Sequence, residues 1–204
     1  MSPQSLLASN GEPRSLSGCT PEIVYRFDEL KATQACGALL ERAGGTSNYT
    51  RILKLLYLAD RRSMEATGYP ITGAWFVNMR NGPVLSEVYA CIMGGRNGGP
   101  WTRYIAREGR YDIRLLQRTN RDELCDFHME VLKELADRYD SSDFRKMIDV
   151  VHALPEWKIA EAAGSRVIRA ADVLRILGFD EEDISAVAQE NAHIQAADRF
   201  FGLS

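Results

Sequence analysis

The chain has 204 residues, 45% of them hydrophobic and 26% charged, with a formal net charge of −3. A chain of this length buries roughly 70% of its unfolded surface, so it needs neither disulfides nor a metal to hold a core. No apolar run approaches the ~18 residues of a membrane-spanning helix, and the small net charge argues against a dedicated nucleic-acid binder.

Residues 1–22, MSPQSLLASNGEPRSLSGCTPE, are rich in Ser, Pro and Gly and show no sustained periodicity. They are expected to form a flexible arm. The arm has no apolar core long enough for a signal peptide, so a cytoplasmic location is expected. The cysteines Cys19, Cys36, Cys91 and Cys125 show no C-x-x-C spacing, and no His lies near enough to complete a zinc knuckle. Reduced thiols are expected, with Cys36 and Cys91 as small buried hydrophobes. No metal and no cofactor is called for.

Between Phe27 and Arg42, the side chains of Phe27, Leu30, Ala35, Ala38 and Leu39 fall mainly on one helical face, and Asp28 and Glu29 suit the positive helix start. Gly44-Gly45 ends this helix, and Thr46, Ser47 or Asn48 caps the next. That second helix, Tyr49 to about Thr67, is apolar on most sides between Ile52 and Ala59, which predicts burial and makes it the hub of the core. Lys54 is expected to extend its ammonium outward along a packed stem. Gly68 and Pro70 stop the helix.

Ala74 to Met79 predicts a strand, Asn81-Gly82 a turn, and Pro83 the first position of a helix with Val84, Val88 and Ile92 inward. GGRNGGP at 94–100 reads as a loop; neither G-x-x-x-x-G-K-[ST] nor G-x-S-x-G occurs in the chain. Tyr111 to Leu116 is expected to form a second strand paired with 74–79. Leu124, Phe127, Val131 and Leu135 then mark a helix, Ser141 or Ser142 caps another with Phe144, Met147, Ile148 and Val151 inward, and Pro155 restarts the chain as a helix. Two more helices are expected near 169–177 and 180–200, the last opened by the acidic run 180–183. These elements predict an α+β fold: a predominantly α-helical single domain with a small antiparallel β-hairpin.

Charge is unevenly spread. Seven arginines lie between Arg96 and Arg121, and the end of the chain from Asp180 is acidic. Trp101 sits in the arginine-rich segment, a composition typical of interfaces. Trp75 is expected in the core, and Trp157 either in the core or as a partly exposed partner anchor. The polar residues Asp60, Arg61, Glu87 and His152 all lie at predicted helix ends. If they converge, a carboxylate–imidazole contact raises the pKa of His152 and fixes its ring. Such a cluster serves as a general base or as a structural clamp. No nucleophile or cofactor motif accompanies it.

The stretch Arg51–Tyr89 joins K-L-L-Y-L-A-D-R, G-x-P-I-T-G and N-G-P-V-x-S-E-V-Y at fixed spacing, with an echo, H-x-x-P-E-W-K, from His152 to Lys158. On these residues the chain resembles the Panacea domain, the SocA-like antitoxin domain of bacterial toxin–antitoxin pairs, also found on phages and mobile elements. The resemblance implies a Panacea-like domain over 23–160; the helices predicted beyond it are expected to form a C-terminal extension, 161–204, packed on the same domain. It implies a non-enzymatic antitoxin of a type II-like system that neutralises a cognate toxin by direct protein–protein binding. An alternative, by likeness to the SocA member, is a proteolytic adaptor delivering the toxin to a ClpXP-type protease. A third reading is an unrecognised enzyme using Asp60, Glu87 and His152.

Tyr57, Asp60 and Arg61 match the charged end of the family's helix, and Glu87 and His152 join them as a polar cluster. Pro70, Thr72, Gly73, Gly82 and Pro83 match its turns. One domain serving many unrelated toxins should vary where it binds. The expected toxin contacts therefore lie outside the shared core, at Trp101, Arg103, Arg107, Arg110, Arg114 and Trp157, or on the acidic C-terminal helix. The expected partner is the toxin, with the protease as a second partner in the adaptor reading. Neither membrane nor nucleic acid is expected, since the 1–22 arm is too short for a helix-turn-helix.

Overall fold

The greasy run at Ile52–Ala59 lies inside helix α2 (Tyr49–Thr67), around which the other elements pack. In the computed structural model, residues 22–96, 98–140 and 142–202 are described. The expected arm, Cys19 within it, and Ser141 as a cap fall outside these residues, apart from Glu22. The helix start is set by Asn48, whose side chain accepts the Thr50 N–H, and its end by Gly68 in the left-handed region at φ 80°. Ile52, Leu53, Leu55, Leu56, Tyr57, Ala59 and Met64 are all buried along it.

Three helices flank this hub: α1 (Glu29–Arg42), α5 (Asp126–Arg138) and α6 (Phe144–His152). Asp28 caps α1 by accepting the Lys31 N–H, and Asp143, one position past the expected Ser142, caps α6 by accepting from Lys146. The remaining helices are α3 (Ser86–Ile92), α4 (Trp101–Tyr104), α7 (Pro155–Ala162), α8 (Ala170–Ile176) and α9 (Glu181–Phe201). Asp180 and Asp183 form a capping box at the start of α9, the role the acidic run suggested.

Six short strands form two antiparallel sheets among the described residues. One has the order β1-β5-β4, from Thr46–Asn48, Asp112–Leu115 and Ile105–Glu108; the other has the order β3-β2-β6, from Val84–Leu85, Phe76–Val77 and Val167–Ile168. The fold is thus α+β and predominantly helical, but the expected pairing of 111–116 with 74–79 is corrected. β5 pairs with β4 across the tight turn at 109–111, and with β1. β2 pairs with β3 across the Asn81-Gly82 turn, and with β6. Hairpin closure over a few residues costs less chain entropy than the longer loop the expectation required. The helix expected from Pro83 begins three residues later, at Ser86, because Val84 and Leu85 are held in the ladder with β2.

The chain beyond residue 160 supplies β6, α8 and α9. It reaches back to the start of the described chain, where Asn191 donates to the Val24 carbonyl at 2.8 Å and Arg26 meets Asp198 at 2.8 Å.

Candidate functional site

On a helix, Lys54, Tyr57 and Arg61 fall on one stripe, and Asp60 lies about a quarter of a turn from its middle. The surroundings obey that geometry, and two separate polar clusters result.

The first cluster is built on Asp60, which is fully buried. After Gly68 reverses the chain, the Pro70–Thr72 segment returns its amides to this carboxylate. Oδ1 accepts from the Ile71 and Thr72 N–H groups, both at 3.0 Å, and Oδ2 accepts the Thr72 hydroxyl at 2.5 Å. That hydroxyl in turn accepts the Ala74 N–H at 3.2 Å. Burial pushes the Asp60 carboxyl up to about 7, partly offset by these donors. The same turn docks on the chain ahead of α1, with the Asp28 N–H donating to the Thr72 carbonyl at 3.0 Å.

The second cluster joins α2 to α7. Glu156 follows Pro155 in the first turn of α7, where the helix dipole favours a carboxylate. Its Oε1 accepts from the Tyr57 hydroxyl at 3.1 Å and from Arg61 Nε at 2.8 Å. The Glu156 side chain is buried and the Arg61 side chain only 20% exposed. Burial, then the Glu156 charge, holds the Tyr57 hydroxyl well above the usual phenol range. The Tyr57 ring meets Phe76 edge-on, tying the cluster to the β3-β2-β6 sheet.

Lys54 does not extend outward, contrary to expectation. It is fully buried under β3 and the turn before it, and its Nζ donates to the Pro83 carbonyl at 2.7 Å. Burial lowers its pKa to about 7. The unfolded chain, with Lys54 near its ordinary value, therefore binds more protons between pH ~7 and ~10 than the folded chain does. The contribution of Lys54 to stability rises with pH over that window, by about 1.4 kcal/mol per unit. A Lys54→Met variant is expected to lose this slope relative to the parent when both are melted between pH 7 and 8.5, where the thiols and phenols common to both chains cancel in the difference. A parallel slope in the variant refutes the assignment.

The four polar residues considered as one cluster take separate partners. Asp60 serves the Pro70–Thr72 turn, Arg61 serves Glu156, and Glu87 accepts the Trp75 backbone N–H at 2.9 Å. His152 stacks on Trp157 with ring centroids 4.0 Å apart. Burial and the nearby Lys54 charge lower the His152 pKa instead of raising it. Gly82 lies against the same helix end, since a Cβ there would sit 2.6 Å from Val151 Cγ2.

The tryptophans also depart from expectation. Trp75 is 42% exposed, whereas Trp101 is 2% exposed and packs in the core. Trp101 therefore offers no outward contact, and its backbone N–H donates to Glu29 Oε1. Trp157 is half-buried. Arg103, Arg107, Arg110 and Arg114 are exposed, but several arginines of the basic segment are engaged within the chain. Arg96 pairs with Glu29 and Arg121 with Glu41. Arg114 lies 3.9 Å from Glu108, while Arg107 bonds the Arg110 carbonyl and lies over the Tyr49 ring. Glu156 escaped the sequence reading as a site residue, although it stands inside the H-x-x-P-E-W-K run.

Among the described residues, no group of three or more His, Cys, Asp and Glu is placed to hold a metal, and no helix is long and apolar enough to cross a membrane. Cys36 and Cys91 are buried, Cys125 is exposed, and all three are free.

The family model described as "Antitoxin SocA-like, Panacea domain" matches residues 52–158. The match covers just over half of the chain and contains both polar clusters. No curated protein and no solved structure matches the chain.

Proposed function

This chain belongs to the antitoxin SocA-like, Panacea domain family, and from that premise we propose that it neutralises one cognate toxin by direct, non-catalytic binding in the cytoplasm. An antitoxin role follows from the family. The finer reading is supported by how the polar residues of the shared region are used. Asp60 and Glu87 each accept backbone N–H groups, and Glu156 holds Tyr57 and Arg61. Carboxylates engaged in this way fix the meeting of helix ends and turns, so the shared core serves as scaffold and recognition falls to the surface. Occlusion of a toxin needs roughly 800 Å² on each partner.

Co-expression with the product of the adjoining gene tests this. That product alone is expected to arrest growth, and this chain is expected to restore growth and to co-purify with it. A harmless neighbour, or arrest that persists, rejects the proposal. A folded His152→Ala variant is expected to rescue growth like the parent; a variant that still binds but no longer rescues points to chemistry at His152. Toxin lifetime then separates the modes: an unchanged half-life supports occlusion, and a shortened one supports delivery to a ClpXP-type protease.

A further inference from the structure

In the β3-β2-β6 sheet, Phe76 pairs with Ile168 and Val77 with Val167. Alternation sends Phe76 and Ile168 inward, where they are buried, and turns Val77 and Val167 to the outer face. The same register places Trp75 across from Arg169 on that outer face. Beside them opens a cavity of about 300 Å³ lined by Ile23, Val24, Tyr25, Trp75, Ile168 and Arg169, among others. Trp75 and Val167 are 42% and 45% exposed. The Trp75 main chain is held at both ends, its N–H by Glu87 and its carbonyl by the Ser86 N–H at 2.9 Å.

Arg166 and Arg169 make no ion pair or side-chain hydrogen bond among the described residues. Of the nearby carboxylates, Glu87 accepts the Trp75 N–H and Glu161 the Asn78 side-chain amide at 3.3 Å, neutral donors that hold these side chains in place and leave their charges unneutralised. Glu22 also lines the cavity. An unpaired guanidinium beside an apolar hollow is complementary to a carboxylate carried next to an apolar side chain.

The sheet edge is closed to an added strand. The Asn78 N–H donates to the Arg166 carbonyl, so the backbone groups of Val167 point away from β2 toward the open edge. Ser165 takes both: the Val167 N–H donates to its Oγ at 3.2 Å, and its hydroxyl donates to the Val167 carbonyl at 2.8 Å. Recognition here runs through side chains, with Trp75 as the rigid aromatic anchor.

We propose that this sheet face and its cavity form the docking site for the partner toxin, through a segment that places an apolar side chain in the cavity and a carboxylate on Arg169. The proposal rests on the antitoxin reading above. Its test uses the full chain with Trp75→p-benzoylphenylalanine, photolysed in complex with the adjoining gene's product and mapped by mass spectrometry. The expected crosslink lies in the toxin, on an apolar residue flanked by Asp or Glu. Trp75→Ala and Arg169→Glu are each expected to weaken the complex by about tenfold or more, while Lys133→Glu, exposed on α5, changes it less than about twofold. Crosslinks to residues 1–21 of the same chain, crosslinks to a second copy, or unchanged affinity in both variants overturn the docking site and leave the antitoxin reading standing. Absence of any complex with the unsubstituted chain removes that reading and the docking site together.

Discussion

Replacing Gly73 by alanine is expected to lower the stability of this chain by about 3 kcal/mol or more, a shift of roughly 6–12 °C in Tm for a chain of this size. Two effects combine. Gly73 sits at φ 69°, in the left-handed region, where a side chain costs about 1–2 kcal/mol. A Cβ there would also stand 1.9 Å from the Arg26 carbonyl oxygen. That atom is backbone, so relief requires moving the segment ahead of α1, with an overpacking cost of about 1–3 kcal/mol. Gly164 provides the control. It has φ 61° and open space where a methyl group would stand, so Gly164→Ala bears the conformational cost alone. Thermal melts of the two variants should separate clearly. Equal losses would mean that the Gly73 turn does not press on the Arg26 segment.

Asp60→Ala is the second large expected effect. It leaves the Ile71 N–H, the Thr72 N–H and the Thr72 hydroxyl without their buried acceptor. Each buried unsatisfied group costs about 1–3 kcal/mol, so a loss of about 3 kcal/mol or more is expected by chemical denaturation. Asp60→Asn keeps an oxygen for the two amides and should lose about 1 kcal/mol, the cost of repairing the Thr72 contact. The two substitutions also differ in their use of pH. With the folded carboxyl pushed up to about 7, the folded chain holds a proton that the unfolded chain releases above pH ~4. The Asp60 contribution to stability therefore falls as pH rises from about 4 to 7, by about 1.4 kcal/mol per unit. Relative to the parent, Asp60→Asn should gain ground between pH 5 and pH 7. A constant gap across that range would mean that Asp60 is ionised throughout, its three donors outweighing its burial.

How much of this was legible beforehand varies by element. The Ile52–Ala59 run announced a buried helix because a helix apolar on nearly every side has no stable exposed orientation. Asn48, Gly68, Asp28 and Asp180 marked helix ends through local chemistry, since a cap acts on backbone groups within three or four residues. Lys54 was misjudged. A lysine stem normally carries its ammonium to water, and what prevents this is the Pro83 carbonyl, which lies 29 positions along the chain. Trp75 and Trp101 exchanged roles for a related reason. Which side of a strand or short helix faces the core depends on what packs there, and two-residue strands carry too little alternation to reveal it.

The site divides along the same line. Tyr57, Asp60 and Arg61 stood out because they are polar residues on a buried helix, and Pro70, Thr72 and Gly73 because they form a turn just beyond it. Their actual partners, Glu156 for the first stripe and the Ile71 and Thr72 amides for Asp60, follow from the rotation of α2 and the path of the chain after Gly68. His152 and Glu87 were drawn together as complementary types, and the structure sends them to Trp157 and the Trp75 backbone.

Burial pattern, helix ends and family membership were thus written in the order of residues, because each depends on periodicity, neighbouring atoms or a linear motif. Strand partners, the depth of Lys54, the split of the polar cluster and the exposed face around Trp75 were decided only by tertiary structure, because each depends on contacts between segments far apart in the chain.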